Sequence, residues 1–467
     1  MKELSTISRV YFLGIGGIGM SAIARYFLDK NVTVSGYDKT PTTLSNQLEK
    51  EGADIHFEDN VDMLDKDAQL VIYTPAIPAA HTELNWYRDH GYEVVKRSDV
   101  LSEISKNSFN ICVAGTHGKT TISTMIAHLL RDTGYGCNAF LGGISVNYNT
   151  NYWSSPNNVD VVEADEYDRS FLKLSPDVAV ITAMDADHLD IYGTVENMRK
   201  AFKEFSRKLK SGGLLLTRYG MGHDDFDVPG HLRYSLQNSS ADVYAHNIVM
   251  KKGGYEFDVI SQNWSISNFK LNMGGMHNVE NMVASIAVAQ YLEIDADKIK
   301  QAVENFKGVK RRFEYVIDLE TAEKQRNNVV FIDDYAHHPE ELKALIKSAM
   351  SLFNKRKCTV IFQPHLFSRT KDFSKEFAEA LDLADEVLLL PVYPARELPM
   401  EGVNSELILD KMEHKNASVL SKEQILEYIG ATYLETVRKS SYGQLLITAG
   451  AGNIDQLVNP IKEIILA

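Results

Sequence analysis

Gly115-Thr116-His117-Gly118-Lys119-Thr120-Thr121 stands between an unbroken apolar run, Phe109 to Ala114, and a stretch whose apolar residues Ile122, Met125, Ile126, Leu129 and Leu130 recur at helical spacing. A buried strand, a glycine turn and a helix in that order form the repeating unit of a parallel α/β sheet. The helix start presents unpaired backbone N–H groups to an anion. Val113 occupies the place of the first glycine of GxxxxGK[ST], yet the lysine and threonine keep their places. Lys119 can reach the β and γ phosphates of a triphosphate, and the Thr120 hydroxyl can ligate Mg²⁺. The alternative is a chance GKT on a surface turn. As a phosphate-loop lysine, Lys119 is expected to face its ligand and to have no role in the core.

The same logic extends to two later runs. Glu163 ends VDVVE and His188 lies just beyond VAVITAMDADH, so in a parallel sheet both fall at the carboxyl edge, level with the phosphate loop. A carboxylate suits Mg²⁺. His188 reads equally well as a core or helix-capping histidine, and the nearby Asp165, Asp168, Asp185, Asp187 and Asp190 as acids that hold water around the metal or as turn residues.

Gly14, Gly16 and Gly19 make GxGxxG after a strand-like run, Arg9 to Leu13, with Asp38 near the end of the next strand. Three readings stay open: a dinucleotide or sugar-nucleotide pyrophosphate, NAD itself, or glycines that only let a helix pack closely on a sheet. Further on, Asp334, Tyr335, His337 and His338 follow one strand-like run, and His365, Ser368 and Arg369 follow the next. An acceptor carrying a carboxylate could meet Arg369 and a histidine there. A helix cap at Asp334 and a surface cation at Arg369 are the plainer readings.

A chain of 467 residues exceeds what one core holds, and strand and helix patterns alternate through three consecutive α/β segments. The expected limits are 1–107, 108–314 and 315–467: a Rossmann-like segment, a P-loop-type α/β segment with a small set of antiparallel strands around Asp242 to Leu271, and a doubly wound Rossmann-like segment. A net charge of −14 argues against broad binding to nucleic acid or anionic membrane. Cys112, Cys137 and Cys358 lie far apart and outside any CxxC pattern, which fits free thiols in a reducing, cytoplasmic setting. No signal peptide and no membrane span are expected.

GIGGIGMS at 14–21, GTHGKTT at 115–121, EADEYD at 163–168, ADHLD at 186–190, HNVEN at 277–281, GVKRRFE at 308–314, DDYAHHP at 333–339, FQPHLFSRT at 362–370 and AGAGNID at 449–455 occur in order along the whole chain. Together they resemble the Mur ligase family. The resemblance implies a three-domain, ATP-dependent, amide-forming ligase of peptidoglycan precursor synthesis, with UDP-N-acetylmuramate and L-alanine as substrates and a monomer or homodimer as its state. It gives Gly14, Gly16, Gly17 and Gly19, with Asp38, to the UDP-sugar and not to NAD. It gives the whole loop Gly115, Thr116, His117, Gly118, Lys119, Thr120 and Thr121 to ATP. Thr120 and Glu163 would hold one Mg²⁺ and His188 a second, with Mn²⁺ able to substitute. His277 and Asn278 or Asn281 would lie near adenine, Arg312 near the phosphates and Asp334 on the ribose. Tyr335, His337 and Arg369 would line the alanine pocket. Leu366 departs from the basic residue that some members carry after the FQPH histidine, which throws more of the carboxylate binding onto Arg369 and His337. A recycling ligase that attaches a tripeptide to the same sugar nucleotide is the alternative within the family.

Overall fold

The computed structural model describes residues 3–185, 189–221, 226–251, 253–395, 397–413 and 416–467. The chain forms two compact units, one of residues 1–246, 259–266 and 280–303, the other of residues 247–258, 267–279 and 304–467.

Two sheets lie in the first unit. β1 (Arg9–Leu13), β2 (Thr33–Tyr37), β3 (Asp54–His56), β4 (Leu70–Tyr73) and β5 (Val94–Lys96) make a parallel sheet in the order β3-β2-β1-β4-β5. The order reverses between β1 and β4, and at such a switch point the carboxyl ends of the strands leave a crevice for a ligand. The glycine loop after β1 opens into it, followed by helix α1 (Ile18–Asp29). Helices α2 (Thr43–Glu51), α3 (Thr82–Asp89) and α4 (Arg97–Ile104) complete this layer.

The second sheet carries β6 (Phe109–Ala114) at its centre, between β9 (Val159–Glu163) and β10 (Val178–Ile181). All three are parallel, and Glu163 pairs with Val113 while Ile181 pairs with Ala114. That register puts the ends of β9 and β10 level with the start of the phosphate loop. β7 (Asn138–Ser145) and the antiparallel β8 (Thr150–Trp153) lie beyond β9, and β11 (Leu214–Arg218) and β12 (His231–Ser235) beyond β10. Helix α5 (Lys119–Asp132) follows the loop, and its Ile122, Met125, Ile126, Leu129 and Leu130 are all buried, as their spacing requires. β13 (Val243–Lys251) pairs in parallel with β12, and β14 (Gly254–Ser261) and β15 (Ser265–Leu271) follow as neighbours in the same sheet, with residues in both units. Their short connections allow only antiparallel pairing.

The two layers of the first unit are joined through Asn151, which is wholly buried. Its amide donates to Ile18 O at 2.6 Å and to Ser21 Oγ at 3.0 Å, and accepts from Arg25, which also pairs with Glu51 at 2.7 Å. Tyr26 packs on Phe140 and Tyr152 beside this contact. Helix α1 therefore buries one face on its own sheet and another on β7 and β8.

The sheet of the second unit contains β16 (Glu314–Ile317), β17 (Val329–Asp334), β18 (Lys357–Phe362), β19 (Glu386–Leu389), β20 (Ala417–Val419) and β21 (Gln444–Ala449), in the order β16-β17-β21-β18-β19-β20. It is parallel apart from β16, which runs against β17. All three cysteines are free and buried. No helix among the described residues is long and apolar enough to cross a membrane.

Candidate active site

Two glycines make the phosphate loop possible. Gly115 has φ +134°, and a Cβ there would stand 2.1 Å from Thr182 Oγ1; Gly118 caps α5 at φ +81°. The neighbouring strand holds the loop in place: Thr116 N–H donates to Ala183 O at 3.1 Å, Asp185 N–H donates to Thr116 Oγ1 at 3.2 Å, and the Thr182 hydroxyl donates to His117 O. Thr121 is buried in the first turn of α5, whereas the His117 side chain is largely exposed.

Lys119 does not extend freely into solvent. Its Nζ donates to Gly115 O at 2.6 Å and to Glu166 Oε1 at 2.8 Å, and only 14% of the side chain is exposed. This overturns the expectation that the lysine has no role in the core, because Glu166 is wholly buried and its charge is matched by that ammonium. Burial pushes the Glu166 carboxyl above the usual carboxylate range, and Lys119 opposes the shift. Glu166 belongs to EADEYD but was not singled out. Its pairing depends on the chain turning back after β9, where Tyr192 also clasps it by donating to Glu166 O at 2.6 Å.

Thr120 Oγ1 donates to Glu163 Oε1 at 3.1 Å, and Glu163 Oε2 accepts from Gly142 N–H at 3.0 Å. A Cβ at Gly142 would fall 2.3 Å from that carboxylate, so only glycine leaves room for it. Burial raises the Glu163 carboxyl too, with Lys119 acting against it. A hydroxyl and a carboxylate side by side beside a lysine make an oxygen-rich donor set that fits Mg²⁺. His188 lies outside the described residues. Asn281, on the helix Met276–Tyr291, reaches the loop: its Oδ1 stands 3.4 Å from where a Gly118 Cβ would be. Asn278 is buried, and its amide donates to Gly274 O at 2.7 Å, building the start of the helix. His277 is exposed on the same first turn.

In the glycine loop after β1, only Gly14 has a positive φ, +86°, and a Cβ there would meet Thr74 at 2.6 Å across the switch point. Gly17 precedes the first turn of α1. The Asp38 carboxylate accepts from Gly16 N–H at 2.7 Å, so it shapes the loop where a dinucleotide-binding acid would reach a ribose. Arg97, the first residue of α4, was also missed. Its guanidinium stands 2.8 Å from a Cβ built on Gly19 and 3.5 Å from Asp165, placing a cation at the start of α1. The signal was present: Arg97 directly follows β5, at the carboxyl edge.

In the second unit, Asp334 Oδ2 accepts from Phe313 N–H at 2.6 Å and Oδ1 from Ala336 N–H at 2.7 Å, tying the segment before β16 to the end of β17. Burial raises its carboxyl, opposed by the nearby Arg312. The guanidinium groups of Arg311 and Arg312 lie 5.0 Å and 5.3 Å from the Tyr335 ring. His337 Nδ1 lies 3.0 Å from Tyr335 O and 3.4 Å from Glu341 Oε2. A carbonyl only accepts, so Nδ1 carries the proton and Nε2 is the basic nitrogen. Burial holds the His337 pKa below the ordinary histidine value, against the pull of Glu341. Arg369 Nη1 donates to His337 O at 3.4 Å, and the His337 and His365 rings lie 6.1 Å apart. Tyr335, His337, His365 and Arg369 thus form one group at the carboxyl edge of β17 and β18. Tyr393 and Glu397 extend it and were not assigned from sequence: Tyr393 stacks on His365, and Glu397 accepts from Ser368 N–H at 3.0 Å.

Comparison with known proteins agrees with this layout. Residues 9–109 match the model described as Mur ligase family, catalytic domain; 113–289 match the Mur ligase middle domain; and 311–452 match the Mur ligase, glutamate ligase domain. The chain is 46% identical to the UDP-N-acetylmuramate–L-alanine ligase of Cytophaga hutchinsonii, covering 98% of this chain and 97% of that one. It is 45% identical to the enzyme of the same name from Parabacteroides distasonis, covering 99% and 98%. Among solved structures, the UDP-N-acetylmuramate-alanine ligase of Thermotoga maritima is 30% identical with a TM-score of 0.81, covering 97% of this chain and 98% of that one. A murein peptide ligase from Psychrobacter arcticus, 23% identical with a TM-score of 0.67, shares the fold over 98% of both chains. The matched models together span most of the sequence and follow its three α/β segments in order: the chain belongs to the Mur ligase family, as a three-domain α/β, ATP-binding ligase.

Proposed function

We propose that this chain joins L-alanine to the lactyl carboxylate of UDP-N-acetylmuramate, with cleavage of ATP to ADP and phosphate. The observation that carries the reading is the cluster of Lys119, Thr120, Glu163 and Glu166 around one glycine turn, a phosphoryl-transfer site with its cation already positioned. The names of the relatives at 45–46% identity supply the substrates. Domain limits at 107/108 and 314/315 then assign 1–107 to the UDP-sugar, 108–314 to ATP and 315–467 to the amino acid.

The lactyl carboxylate oxygen attacks the γ phosphorus of ATP, the bond to the β–γ bridging oxygen breaks, and an acyl phosphate and ADP result. The neutral amine of L-alanine then attacks the acyl carbon, and inorganic phosphate leaves from the tetrahedral intermediate. Lys119 stabilises charge on the transferring oxygens, held in place by Glu166 and Gly115 O. Thr120 and Glu163 would hold Mg²⁺, or Mn²⁺ in its place, and His188 a second ion; the metal supplies charge neutralisation at the phosphates. Asn281, His277, Arg312 and Asp334 serve the nucleotide, and the Gly14–Gly19 loop with Arg97 serves the UDP-sugar. In the amino-acid pocket, Arg369 takes the alanine carboxylate, Tyr335 forms a wall, and Nε2 of His337 accepts the proton that the ammonium must lose before attack.

ADP release is measured with UDP-N-acetylmuramate and either L-alanine or the L-Ala-γ-D-Glu-diaminopimelate tripeptide. Turnover with alanine is expected. Turnover with the tripeptide alone would replace this reading by the recycling one.

A further inference from the structure

A second cluster of ligating groups lies within the elements of the first sheet and takes no part in the chemistry above. Asp59, His81 and Glu83 each offer one ligating atom, all within 4.8 Å of one another. His81 is 6% exposed and Glu83 wholly buried. Neither His81 ring nitrogen has a hydrogen-bond partner among the described residues, and Nδ1 faces Asp59 Oδ1 at 3.4 Å. A neutral imidazole has one N–H and one lone pair to satisfy, so a histidine buried in this way against two carboxylates is short of a partner.

The carboxylates themselves are fixed from behind. Asp59 accepts from the backbone N–H groups of Thr82 at 3.0 Å and Glu83 at 3.1 Å. Glu83 accepts from Asn60 N–H at 2.9 Å and from the hydroxyl of the buried Tyr11 at 2.7 Å. Glu83 Oε1 also faces His56 Nε2 at 3.7 Å, and a carboxylate oxygen that accepts a single hydrogen bond keeps a further lone pair for a cation. The His81 ring is set by edge contact with Tyr37, 4.6 Å between centroids. Ligands on a tetrahedral zinc ion with bonds of about 2.0–2.2 Å stand about 3.3–3.6 Å apart. The separation of His81 Nδ1 from Asp59 Oδ1 falls in that range, and the Glu83 oxygen lies within 4.8 Å of both.

We propose that Asp59, His81 and Glu83 form a binding site for a borderline divalent transition-metal ion, Zn²⁺ in the first instance. An imidazole nitrogen among the ligands favours Zn²⁺ over Mg²⁺ or Ca²⁺, which prefer oxygen alone. Two carboxylates balance the charge of the ion. The bound ion clamps the segment after β3 to the start of α3, next to Tyr37 at the carboxyl end of β2. The role is structural: it fixes one wall of the first domain and contributes nothing to phosphoryl transfer.

The test is a Zn²⁺ titration of the tag-free, EDTA-stripped full chain in competition with a chromogenic chelator. Wild type is expected to bind one equivalent more than His81→Ala, and Asp59→Asn to hold that equivalent at least tenfold more weakly. Mg²⁺ in thousandfold excess is expected to leave it bound. Equal stoichiometry and affinity in wild type and both variants would overturn the proposal, as would displacement by Mg²⁺, which would assign the equivalent to the oxygen site at Thr120 and Glu163. Because His81→Ala also removes a buried ring, the wild-type chain is crystallised with Zn²⁺ and measured at the zinc absorption edge. An anomalous peak among the three side chains supports the site; zinc found only elsewhere refutes it.

Discussion

Lys119 Nζ stands 2.8 Å from Oε1 of Glu166, a carboxylate with no solvent exposure at all. Removing one member of a buried pair leaves the other as an uncompensated charge, at a cost of about 3–5 kcal/mol. Lys119→Ala is therefore expected to abolish turnover and also to lower stability by about 3 kcal/mol. Glu166 already has a raised pKa from burial, and losing the ammonium raises it further. A carboxyl with a raised folded pKa contributes stability below its unfolded value and loses it as pH climbs through the folded one. The deficit of the variant in urea unfolding should thus be largest near neutral pH and shrink as pH falls toward the ordinary carboxylate range. Adding Glu166→Gln should recover most of the stability and none of the activity. A deficit independent of pH, or no recovery in the double variant, would show that the pair does not have this role.

Glu163 and Thr120 share a hydrogen bond of 3.1 Å, and Gly142 N–H fixes the far carboxylate oxygen. Glu163→Gln keeps that shape and removes the charge a hard cation needs. Turnover should fall by a factor of about 10² or more, as for loss of a group that stabilises charge in the transition state. The Mg²⁺ concentration for half-maximal activity should rise as well. Steady-state rates across a Mg²⁺ series decide the matter, and an unchanged half-saturation point would remove Glu163 from the metal site.

Arg97 places its guanidinium over Gly19, and a charge-assisted contact to a phosphate is worth about 1.5–3 kcal/mol. Arg97→Ala should raise the KM for UDP-N-acetylmuramate by roughly ten- to a hundredfold, leaving the KM for ATP within a small factor. Kinetics with each substrate varied in turn separate the two. Equal losses would mean that Arg97, through Asp165, mainly holds the two layers of the first unit together.

The parts of this architecture written in short-range pattern were legible in the sequence. The run Phe109 to Ala114, the glycines and the 3.6-residue spacing after Lys119 define strand, turn and helix without tertiary information. What the sequence could not show was which polar groups answer one another across a fold. Asn278 and Asn281 lie one turn apart on the same helix, and only the path of the chain at Gly274 gives the Asn278 amide its carbonyl partner. Asp38 occupies the position of a ribose ligand but is taken by Gly16 N–H, because the glycine loop curls back over the end of β2. Glu166 meets Lys119 across a segment that contains an entire strand pairing. Arg97 was within reach, since the strand-end argument that singled out Glu163 applies to β5 without change.

His337 combines a proton on Nδ1, donated to Tyr335 O, with a pKa held down by burial. Its Nε2 is then in the basic form through the neutral range. If it takes the proton from the alanine ammonium, kcat/KM for alanine should fall on the acid side with a midpoint below the ordinary histidine value of about 6.5. His337→Asn should lower the rate and flatten that limb. A limb that keeps its midpoint in the variant belongs to another group.

Arg369 donates to His337 O at 3.4 Å and sits on the short helix Phe367–Asp372, which begins immediately after Leu366 in a left-handed conformation, φ +69°. That backbone turn is strained for a leucine, and Glu397 braces it by accepting from Ser368 N–H. The helix start is therefore a fixed platform, and the Leu366 side chain brings no second cation to it. L-Alanine offers a carboxylate, a methyl group and the reacting amine, so most of its binding energy must come from the carboxylate. The planar pair of donors on a guanidinium suits that group. Losing such a contact costs about 1.5–3 kcal/mol, or roughly ten- to a hundredfold in kcat/KM. Arg369→Ala should show this loss for alanine, with KM values for ATP and UDP-N-acetylmuramate nearly unchanged; Arg369→Lys should recover part of it, since an ammonium keeps the charge but not the fork. Glu397→Gln separates platform from contact. It loosens the turn without touching the guanidinium, and should raise the alanine KM less than Arg369→Ala does. Unchanged alanine kinetics in Arg369→Ala would move the carboxylate site to His337 and His365, whose rings meet edge to face beside it.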